Sequence, residues 1–548
     1  MFNRQEVLDW IDFDPDNEDR ELIRKWLEEN NIEELEKSFQ GLLEFGTAGL
    51  RGPIRPGPSG MNTAVVCKAA GGLVSYCKER NLRKIIIGRD ARHGSEKFAI
   101  KSAEIFSGAG FEVFLLPRPL PTPVLAFAVN HLKMDVGVMV TASHNPAADN
   151  GYKVYLGPEV DGINYRGSQI ISPTDGFIAE KIKLVNQMPL LGNNWSVLDE
   201  SIIENYLIKT NSLIPNGSDL KIAYTAMHGV GAQTTEQLFN KSGFNNLVQV
   251  LEQEKPNPDF PTVAFPNPEE AGAMDLALEL AQKEQVDIII ANDPDADRVA
   301  LGFKNKLNQY QILKGDEVGI LIGYFLATRM RNKMAGKAFA NSIVSSSALS
   351  KIAEKFNIEF EETLTGFKYL AKIQNLGFGY EEALGYAVDP INVNDKDGIS
   401  AALLLAYIVS ELKKESLDVS DYLNEIWDQI GYHFTSSISL RFSQIDLIKK
   451  TMDELRTNPP IKVGEYLVSE IEDLSKPKNN LPATNGLRLF LKSGENNRAA
   501  RIIIRPSGTE PKLKIYLEIV RPSAAQKEVQ IAAQMAVELA TELKKLAS

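Results

Sequence analysis

Three loops of this chain carry side chains that could do chemistry, and the first offers a hydroxyl. Thr141-Ala142-Ser143-His144-Asn145-Pro146 follows an apolar run, 136–140, that predicts a buried strand. Small polar residues and a proline indicate a turn, so Ser143 would sit on a rigid element beside a cleft, as a nucleophile does. A polar turn before a helix is the alternative, and the loop considered alone favours it.

The second loop contains three aspartates at alternating positions. If this stretch is extended, residues two apart point the same way, so the carboxylates of Asp293, Asp295 and Asp297 converge. Three like charges together need a cation, and hard oxygen ligands select Mg²⁺ or Ca²⁺. An EF-hand would require glycine and glutamate where Arg298 and Lys304 stand, which excludes it. The loop predicts a divalent metal site beside the cationic Arg298, with a solvated acidic turn as the alternative.

The third loop, which begins at Arg505, offers hydroxyls and backbone N–H groups to an anion. Ser507 and Thr509 flank Gly508, and Lys512 follows with another positive charge. Such a combination of hydroxyls, N–H groups and flanking cations binds phosphate well. The loop is not a Walker motif, since the chain contains no GxxxxGK[ST] sequence. A hairpin turn is the alternative.

Single residues outside these motifs are further candidates. The glycine-rich stretch Gly46–Gly52 lets a backbone approach a ligand, with Arg51 as an anion clamp. His144 and Lys153 could move protons or bind phosphate, and Glu382 could accept two sugar hydroxyls. Considered alone, each of them favours an ordinary turn or surface position.

Strands and helices must position these loops, and their pattern repeats three times. In each unit a strand, a helix, a strand, a helix and a third strand follow in order, which predicts a largely parallel sheet. The predicted strands lie near residues 84–88, 111–116, 136–141, 220–224, 247–251, 286–291, 338–344, 358–364 and 378. The most polar loop of every unit follows the third strand, at the edge where parallel sheets bind ligands.

The C-terminal part has a different pattern and predicts a smaller α+β domain. Alternating segments at 435–442, 501–505 and 512–520 indicate strands, and helices are expected at 445–456 and after residue 524. The predicted fold class is therefore α/β with four domains. Their predicted ranges are 1–205, 206–305, 306–430 and 431–548.

Length, charge and cysteine usage limit the kind of protein. A chain of 548 residues is too long for one core. The net charge of −12 argues against a nucleic-acid surface. The two cysteines make no disulfide framework, no apolar run reaches the ~18 residues of a membrane helix, and the acidic N-terminus is unlike a signal peptide. We expect a soluble, cytoplasmic protein that acts on small molecules rather than nucleic acid or membranes.

The loops 141–146, 293–298 and 505–511, in this order and spacing, resemble the signature loops of the α-D-phosphohexomutase superfamily. Gly46–Gly52 and Glu381–Tyr386 fit the same pattern, so the resemblance covers nearly the whole chain. It implies a heart-shaped, four-domain α/β fold with three βαβαβ-type mixed-sheet domains and a smaller C-terminal domain. It also implies an isomerase that moves a phosphoryl group within a sugar monophosphate.

The resemblance assigns roles to the candidate residues. Ser143 would carry the phosphoryl group as phosphoserine, and a phosphoserine oxygen would bind Mg²⁺ together with the three aspartates. The enzyme would form a bisphosphate, glucose 1,6-bisphosphate for a glucose substrate, which reorients and also primes the dephosphorylated enzyme. His144 and Lys153 are the candidates for proton transfer. The implied substrate-binding residues are Arg51, Arg298, Thr365, Gly366, Lys368, Glu382, Arg505, Ser507, Gly508, Thr509 and Lys512.

The sugar loop departs from the pattern of many superfamily members. Where they carry Gly-Glu-Met-Ser-Gly-His, this chain has Glu381-Glu382-Ala383-Leu384-Gly385-Tyr386, so the glutamate is kept but the serine and histidine are replaced. This version, with Thr365–Tyr369 before it, is similar to the branch of bacterial α-phosphoglucomutases and animal phosphopentomutases. We expect interconversion of glucose 1-phosphate and glucose 6-phosphate, with phosphopentomutase or phosphomannomutase activity as alternatives.

Two other classes of function fit these residues less well. A metal-dependent sugar phosphatase of the haloacid dehalogenase type would use Asp293 as its nucleophile, but that family has threonine or valine where Asp297 stands. A non-catalytic sugar-phosphate-binding protein would not need Ser143, the three aspartates and Arg298 together. Both rank below the mutase.

Overall fold

The computed structural model describes residues 2–442, 444–464, 466–477, 481–493, 496–506 and 512–546. Contacts within the chain divide it into two units. The first comprises Met1–Leu313, Phe367–Phe378 and Ala383–Glu411, and the second comprises Lys314–Gly366, Gly379–Glu382 and Leu412–Ser548. Within the described ranges, no helix is both long and apolar enough to cross a membrane.

The first unit begins with three short helices, as the amphipathic pattern of its N-terminus indicates. They are α1 (Arg4–Phe13), α2 (Asn17–Glu28) and α3 (Ile32–Phe39). The side chains of Asn3, Asp16 and Asn31 each accept a hydrogen bond from a backbone N–H of the first turn. These caps satisfy donors that the helix itself leaves unpaired, so each helix begins directly after a capping residue.

A mixed sheet with helices follows in the first unit. Its elements are β1 (Leu50–Pro53), α4 (Thr63–Glu79), β2 (Lys84–Arg89), α5 (Ser95–Gly108), β3 (Glu112–Leu115), α6 (Thr122–His131), β4 (Val136–Val140), β5 (Asp149–Leu156), β6 (Glu159–Val160), β7 (Ile163–Asn164), β8 (Ser168–Gln169), α7 (Thr174–Lys183), β9 (Ser196–Val197) and α8 (Ser201–Asn211). The strand order is β1-β5-β4-β2-β3-β9, with β2 parallel to β3 and β4 and with β5 antiparallel to β4. The predicted βαβαβ motif is confirmed, and β5 extends it.

A second sheet of the first unit repeats this arrangement. Its elements are β10 (Ile222–Thr225), α9 (Ala232–Lys241), β11 (Leu247–Gln249), α10 (Leu251–Glu254), α11 (Asp275–Glu284), β12 (Ile288–Asn292), β13 (Val299–Lys304) and β14 (Tyr310–Ile312). The order is β11-β10-β12-β13-β14, with β10 parallel to both neighbours and β13 antiparallel to β12. In both sheets the first strand of the motif lies between the other two. Because β4 is parallel to β2 and β12 is parallel to β10, the loops after β4 and β12 begin at the edge where the parallel strands end.

The chain continues with the elements of the third predicted domain. They are α12 (Gly315–Arg329), α13 (Arg331–Met334), β15 (Ala338–Ser342), α14 (Ala348–Phe356), β16 (Glu359–Thr363), α15 (Phe367–Leu370), β17 (Leu376–Glu381), β18 (Gly385–Ala387), α16 (Gly398–Lys414) and α17 (Val419–Ile430). Strand β15 is fully buried and pairs in parallel with β16.

An antiparallel sheet completes the second unit. Its elements are β19 (Tyr432–Arg441), α18 (Ile445–Thr457), β20 (Lys462–Val463), β21 (Tyr466–Asp473), β22 (Leu487–Ser493), β23 (Asn496–Pro506), β24 (Lys512–Arg521) and α19 (Gln526–Leu546). The order is β19-β24-β23-β22-β21-β20. Leucine and isoleucine side chains of β22, β23 and β24 form one buried core with α18 and α19. The predicted α+β pattern is confirmed, although β20, β21 and β22 were not predicted.

Candidate active site

Ser143 lies three residues beyond β4 in a tightly held loop. The residue is 2 % exposed, and its φ of +51° is a left-handed backbone conformation that non-glycine residues rarely adopt. Its N–H donates to Oγ1 of Thr141 at 2.9 Å, and the N–H of Thr141 donates to the Gly151 carbonyl of β5 at 3.1 Å. The neighbouring antiparallel strand therefore fixes the base of the loop that turns the serine hydroxyl.

The guanidinium of Arg92 holds the rest of this loop through its carbonyl groups. It donates to the carbonyl oxygens of Ser143 and Asn145 at 2.6 Å each, of Pro146 at 2.8 Å and of Asp149 at 3.1 Å. A planar guanidinium with several fixed N–H donors suits such a cluster of acceptors better than a lysine would. Arg92 was not predicted from the sequence.

Arg92 is itself held from two sides. The carboxylate of Asp90 lies 3.4 Å from its Nε, and the ring of Phe260 stacks on the guanidinium at 4.8 Å. Both Asp90 and Arg92 are almost fully buried. A buried charge needs such a partner, and a cation over an aromatic face is favourable when water is excluded. The loop of Ser143 thus depends on a side chain of the second sheet's domain.

The three aspartates converge, but not along an extended chain. Residues 293–297 form a turn, in which Ala296 has a φ of +54° and its N–H donates to the Asp293 carbonyl at 2.8 Å. The prediction of an extended segment is wrong, because the proline after Asp293 and the left-handed residue bend the backbone. Carboxylate oxygens of Asp293, Asp295 and Asp297 nevertheless lie within 4.8 Å of one another, and all three residues are buried.

Positive side chains surround the aspartates. Nζ of Lys153 lies 2.7 Å from Asp295 and 3.2 Å from Asp297, and Nζ of Lys396 lies 3.0 Å from the same Asp297 oxygen. Burial opposes ionisation of Asp295, but the Lys153 ammonium outweighs it and holds the pKa of that carboxyl well below its usual value. Burial and the two neighbouring carboxylates raise the pKa of Asp293 well above its usual value. Lysines therefore neutralise two of the three aspartates.

The Ser143 hydroxyl reaches the third carboxylate. Its Oγ donates to Oδ2 of Asp293 at 2.8 Å and lies 3.1 Å from Nδ1 of His144. Burial, and then the guanidinium groups of Arg298 and Arg51, hold the pKa of the His144 imidazole well below its usual value. These surroundings favour the neutral form of the ring over the imidazolium.

The acceptors of this cluster fit a divalent cation. Within the described part of the chain, Oδ1 of Asp295 and Oδ1 of Asp297 are buried and accept no hydrogen bond. A buried carboxylate oxygen without a donor is costly, and a hard cation with oxygen ligands removes that cost. Carboxylate oxygens of Asp293, Asp295 and Asp297 would supply ligands for such a cation, and Mg²⁺ fits this donor set.

Two neighbouring segments fix the turn that carries the aspartates. The N–H and hydroxyl of Thr122, at the start of α6, donate to the carbonyl and Oδ2 of Asp295 at 2.9 and 2.7 Å. The N–H of Val230 donates to the Pro294 carbonyl at 2.8 Å. A Cβ atom on Gly229 would lie 2.2 Å from Cα of Pro294, so only glycine allows this close approach.

The remaining predicted residues of the first unit lie in two places. Arg51, on β1, donates to Oδ1 of Asn145 at 3.3 Å, and therefore contacts the loop of Ser143. Arg298 donates its backbone N–H to Oδ1 of Asp293 at 3.0 Å. The ammonium of Lys368 contacts the Thr47 hydroxyl in the glycine-rich stretch. The structure thus brings Ser143, His144, Lys153, Arg51, Arg298 and the three aspartates into one cluster of the first unit.

The other predicted residues belong to the second unit. Oε2 of Glu382 accepts from Oγ of Ser342 at 3.2 Å and from Oγ of Ser345 at 2.9 Å. Burial, and then the nearby carboxylates of Glu381 and Asp316, raise the pKa of Glu382 to about 7.

The other predicted residues of the second unit lie in the segment before the sugar loop and at the ends of β23 and β24. The N–H of Gly366 donates to Oε1 of Glu381 at 2.6 Å, and the buried Thr365 hydroxyl has no hydrogen-bond partner among the described residues. Arg505 and Lys512 lie at facing ends of β23 and β24. The predicted Ser507, Gly508 and Thr509 lie outside the described residues.

Lys396 is the main residue that the sequence did not predict. It stands in the run Asn394-Asp395-Lys396-Asp397, directly before α16. Oδ2 of the buried Asp395 accepts from the Tyr155 hydroxyl and from Nε2 of Gln169, both at 3.0 Å. In the sequence, the only sign that residues 394–397 could belong to a site is that four polar residues follow one another there.

Sequence comparisons match four segments of the chain to the domains of one family. Residues 42–170, 203–306 and 314–430 match the profiles described as phosphoglucomutase/phosphomannomutase alpha/beta/alpha domains I, II and III, and residues 483–535 match the C-terminal domain of the same family. The chain belongs to the phosphoglucomutase/phosphomannomutase family. The predicted superfamily and the four-domain α/β fold class are confirmed, and members of this family are magnesium-dependent mutases.

Curated relatives differ in the sugar that their names give. The chain is 44 % identical over 465 residues to a "Probable phosphomannomutase" of Haemophilus influenzae, covering 84 % of this chain and 93 % of that protein. It is 34 % identical to human phosphopentomutase, covering 94 % and 91 %. It is 31 % identical to a phosphoglucomutase of Staphylococcus aureus, covering 92 % and 94 %. The comparisons support the mutase reaction and leave its sugar open.

Solved structures of the family share the fold. A phosphoglucomutase/phosphomannomutase family protein of Burkholderia thailandensis superposes with a TM-score of 0.69 at 19 % identity, covering 91 % of this chain and 97 % of that one. The Paramecium phosphoprotein pp63/parafusin gives a TM-score of 0.70 at 19 % identity, covering 93 % and 96 %.

Proposed function

We propose that this mutase interconverts α-D-glucose 1-phosphate and glucose 6-phosphate through phosphoserine at Ser143 and a glucose 1,6-bisphosphate intermediate. The observation that carries the proposal is the 2.8 Å contact between the Ser143 hydroxyl and Asp293, inside a buried triplet of aspartates. A hydroxyl beside a metal site can carry a phosphoryl group as a covalent intermediate, because the metal stabilises charge on the group as it moves. The free, buried cysteines Cys67 and Cys77 are consistent with the cytoplasm as its place.

Each half of the reaction moves one phosphoryl group and one proton. The bond from phosphorus to Ser143 Oγ breaks as a bond to a sugar hydroxyl oxygen forms, and that hydroxyl gives up its proton. The second half reverses these changes with the other phosphate of the bisphosphate. The neutral His144 ring and the Lys153 ammonium are the groups we propose for holding and returning the proton. Bound Mg²⁺ would neutralise charge on the transferring phosphoryl group.

The other predicted residues bind the substrate in this proposal. Arg51 and Arg298 would contact the reacting phosphate beside the aspartates. Glu382 would accept hydrogen bonds from sugar hydroxyls. Further contacts to the sugar and to the phosphate that is not reacting would come from Thr365, Gly366, Lys368, Arg505, Ser507, Gly508, Thr509 and Lys512.

The phosphoserine step is tested with Ser143→Ala. Intact-mass analysis of the wild-type protein after incubation with glucose 1,6-bisphosphate should show one added phosphoryl group that the variant lacks. Mutase activity of the variant should fall by at least about a thousandfold. Full activity in Ser143→Ala would contradict the proposal, and phosphate release that ignores this substitution would favour the phosphatase alternative.

Pentose and mannose phosphates are the competing substrates. The similarity to human phosphopentomutase over 94 % of this chain supports the first, and that to the Haemophilus protein supports the second. Coupled assays over glucose, mannose, ribose and deoxyribose 1-phosphates compare them directly. We expect the highest kcat/KM with glucose 1-phosphate, and a higher value with another sugar would replace glucose in the proposal.

A further inference from the structure

A loop of three consecutive serines follows β15 and contacts two acidic residues that are far apart in sequence. Ser345 contacts Glu382, the residue proposed to bind sugar hydroxyls, which directly follows β17. The next residue, Ser346, donates its hydroxyl to Oε1 of Glu518 on β24 at 2.7 Å, and the N–H of Ser347 donates to the same oxygen at 2.7 Å. The serine loop therefore connects the sugar-loop glutamate with the C-terminal sheet.

Ser345 contacts both the backbone and the side chain of Glu382. Its Oγ accepts from the Glu382 N–H at 3.1 Å and donates to Glu382 Oε2 at 2.9 Å. The Ser342 hydroxyl lies 2.9 Å from Ser345 Oγ and 3.2 Å from the same carboxylate oxygen. Both hydroxyls thus meet Oε2, which directs the carboxylate and leaves Oε1 for a ligand hydroxyl.

The serine loop is rigid enough to direct a side chain. The Ser346 N–H donates to Oδ1 of Asp316 at 2.7 Å, and Asn341 donates to the Ser346 carbonyl at 2.7 Å. Glu518 is buried, and its second oxygen pairs with Arg501 at 3.0 Å. Charge-assisted hydrogen bonds of this kind, shielded from water, hold a loop more firmly than neutral ones.

We propose that Ser345 is a positioning residue for sugar recognition, which fixes the direction of the Glu382 carboxylate and is itself fixed through Glu518. This inference rests on the proposed function, since it takes Glu382 to bind sugar hydroxyls. The bisphosphate must be bound in two orientations, so a carboxylate that keeps one direction can meet equivalent hydroxyls both times. Without the Ser345 hydroxyl, the same carboxylate has more than one accessible direction.

The test measures KM and kcat of the full-length enzyme with glucose 1-phosphate. We expect Ser345→Ala to raise KM about tenfold, the effect of removing one donor from a charged acceptor, while kcat changes less than about twofold. Ser345→Thr keeps the hydroxyl and should restore KM. Ser350→Ala is the matched control. This hydroxyl lies in the first turn of α14 and, within the described chain, bonds only the Ser347 carbonyl, so the KM of this variant should equal that of the wild type.

A double-mutant cycle with Glu382→Ala separates positioning from a general structural effect. If Ser345 acts through Glu382, adding Ser345→Ala to Glu382→Ala should not raise KM further. An unchanged KM in Ser345→Ala, a Ser345→Thr variant as impaired as Ser345→Ala, or full additivity in the cycle would overturn the inference.

Failure of the proposed function is recognised separately. If the wild type turns over another sugar phosphate instead of glucose 1-phosphate, the cycle is measured with that substrate. If it turns over none, the Kd for glucose 1-phosphate is measured by calorimetry in place of KM. The wild type, the two single variants and the double variant should then show the same ratios in Kd. Should Ser345→Ala fold poorly in thermal melts, Ser342→Ala, which also removes a donor to Oε2, must raise KM in the same direction.

Discussion

The hydroxyl of Ser143 donates to Oδ2 of Asp293 at 2.8 Å, although the two residues are 150 positions apart and leave from different sheets. Asp293 differs from the other two aspartates in having no lysine partner among the contacts described for it. Burial and the neighbouring carboxylates raise the pKa of Asp293, so this carboxylate would gain the most from a bound metal ion. This one contact joins the proposed phosphoryl carrier to the proposed metal site.

Asp293→Asn should weaken magnesium binding while leaving the turn in place. Asparagine has nearly the same size, and its one oxygen can still accept from the Arg298 N–H that holds the turn, but an amide nitrogen replaces the oxygen that accepts from Ser143 and the side chain carries no negative charge. We expect the Mg²⁺ concentration that gives half-maximal mutase activity to rise at least about tenfold. Asp275→Asn, at an exposed aspartate in the first turn of α11, should leave that concentration unchanged. Equal magnesium dependence in Asp293→Asn and the wild type would argue against this metal site.

Gly229→Ala should disturb the aspartate turn from outside the cluster. The added methyl group would lie 2.2 Å from Cα of Pro294, where only backbone can move to relieve the clash. We expect the free energy of unfolding to fall by about 1–3 kcal/mol, because the turn must shift. The rise in Tm on adding Mg²⁺ should also be smaller than in the wild type. Gly176→Ala is the matched control, since its new Cβ meets no atom within 4 Å. Thermal melts with and without Mg²⁺ measure both effects, and identical behaviour of the two variants would refute this role.

Lys153 and Lys396 should compensate for each other, because both pair with the same oxygen of Asp297. Each single change to methionine leaves one lysine beside this buried carboxylate, whereas the double change leaves only the more distant Arg298 guanidinium, whose Nε lies 3.8 Å from Oδ1 of Asp297. In EDTA, the fall in Tm of the double variant should exceed the sum of the single falls by about 2 °C or more. Added Mg²⁺ should reduce this excess, since the metal supplies the missing positive charge. Strict additivity in EDTA would contradict the shared-acceptor interpretation.

Lys372 should make stability depend on pH. Its ammonium donates to the Gln169 carbonyl at 3.0 Å and lies 4.1 Å from the Tyr165 ring, and burial lowers its pKa to about 7. A lysine whose folded pKa is lowered binds fewer protons in the native state than in the unfolded state above that value. Burying the Lys372 ammonium therefore lowers the free energy of unfolding by its full amount below about pH 7, and this loss of stability fades as pH rises toward about 10.

Lys372→Met removes that loss of stability. The Tm difference between variant and wild type should therefore favour the variant more at about pH 6 than at about pH 9.5. Lys355→Met, at an exposed lysine of α14, should show no such change with pH. A Tm difference for Lys372→Met that is independent of pH would show that the lysine is protonated throughout.

Local sequence pattern was sufficient for the elements that carry the loops. Strands β4 and β12 are continuous apolar runs, 136–140 and 288–291, and such runs are typical of buried parallel strands. Their position at the end of a repeated βαβαβ pattern also predicted that Ser143 and the aspartates would follow carboxyl ends of strands. The strands β20 and β21 were missed because β20 has only two residues and exposed and polar side chains interrupt the alternation of β21, whereas β22 has a buried leucine at every second position and could have been predicted.

The contacts that give the site its electrostatics could not be predicted in the same way. Alternation of aspartates suggested an extended segment, yet Pro294 and the left-handed Ala296 form a turn that happens to gather the same carboxylates. Arg92 and Lys396 have no periodic neighbours that would mark them, and each acts on residues more than fifty positions away. Only the folded chain brings those partners together.

The pairing of Lys396 with Asp297 has a consequence for biosynthesis. A ribosome releases Lys153 and the three aspartates well before Lys396, and domains of large proteins begin to fold as they emerge. Until the segment around Lys396 packs against the earlier part of the first unit, the buried Asp297 carboxylate has one ammonium partner fewer. Nascent chains that stall before this segment should therefore hold the aspartate turn less firmly, and Mg²⁺ in the surrounding solution should stabilise those chains more than the finished protein.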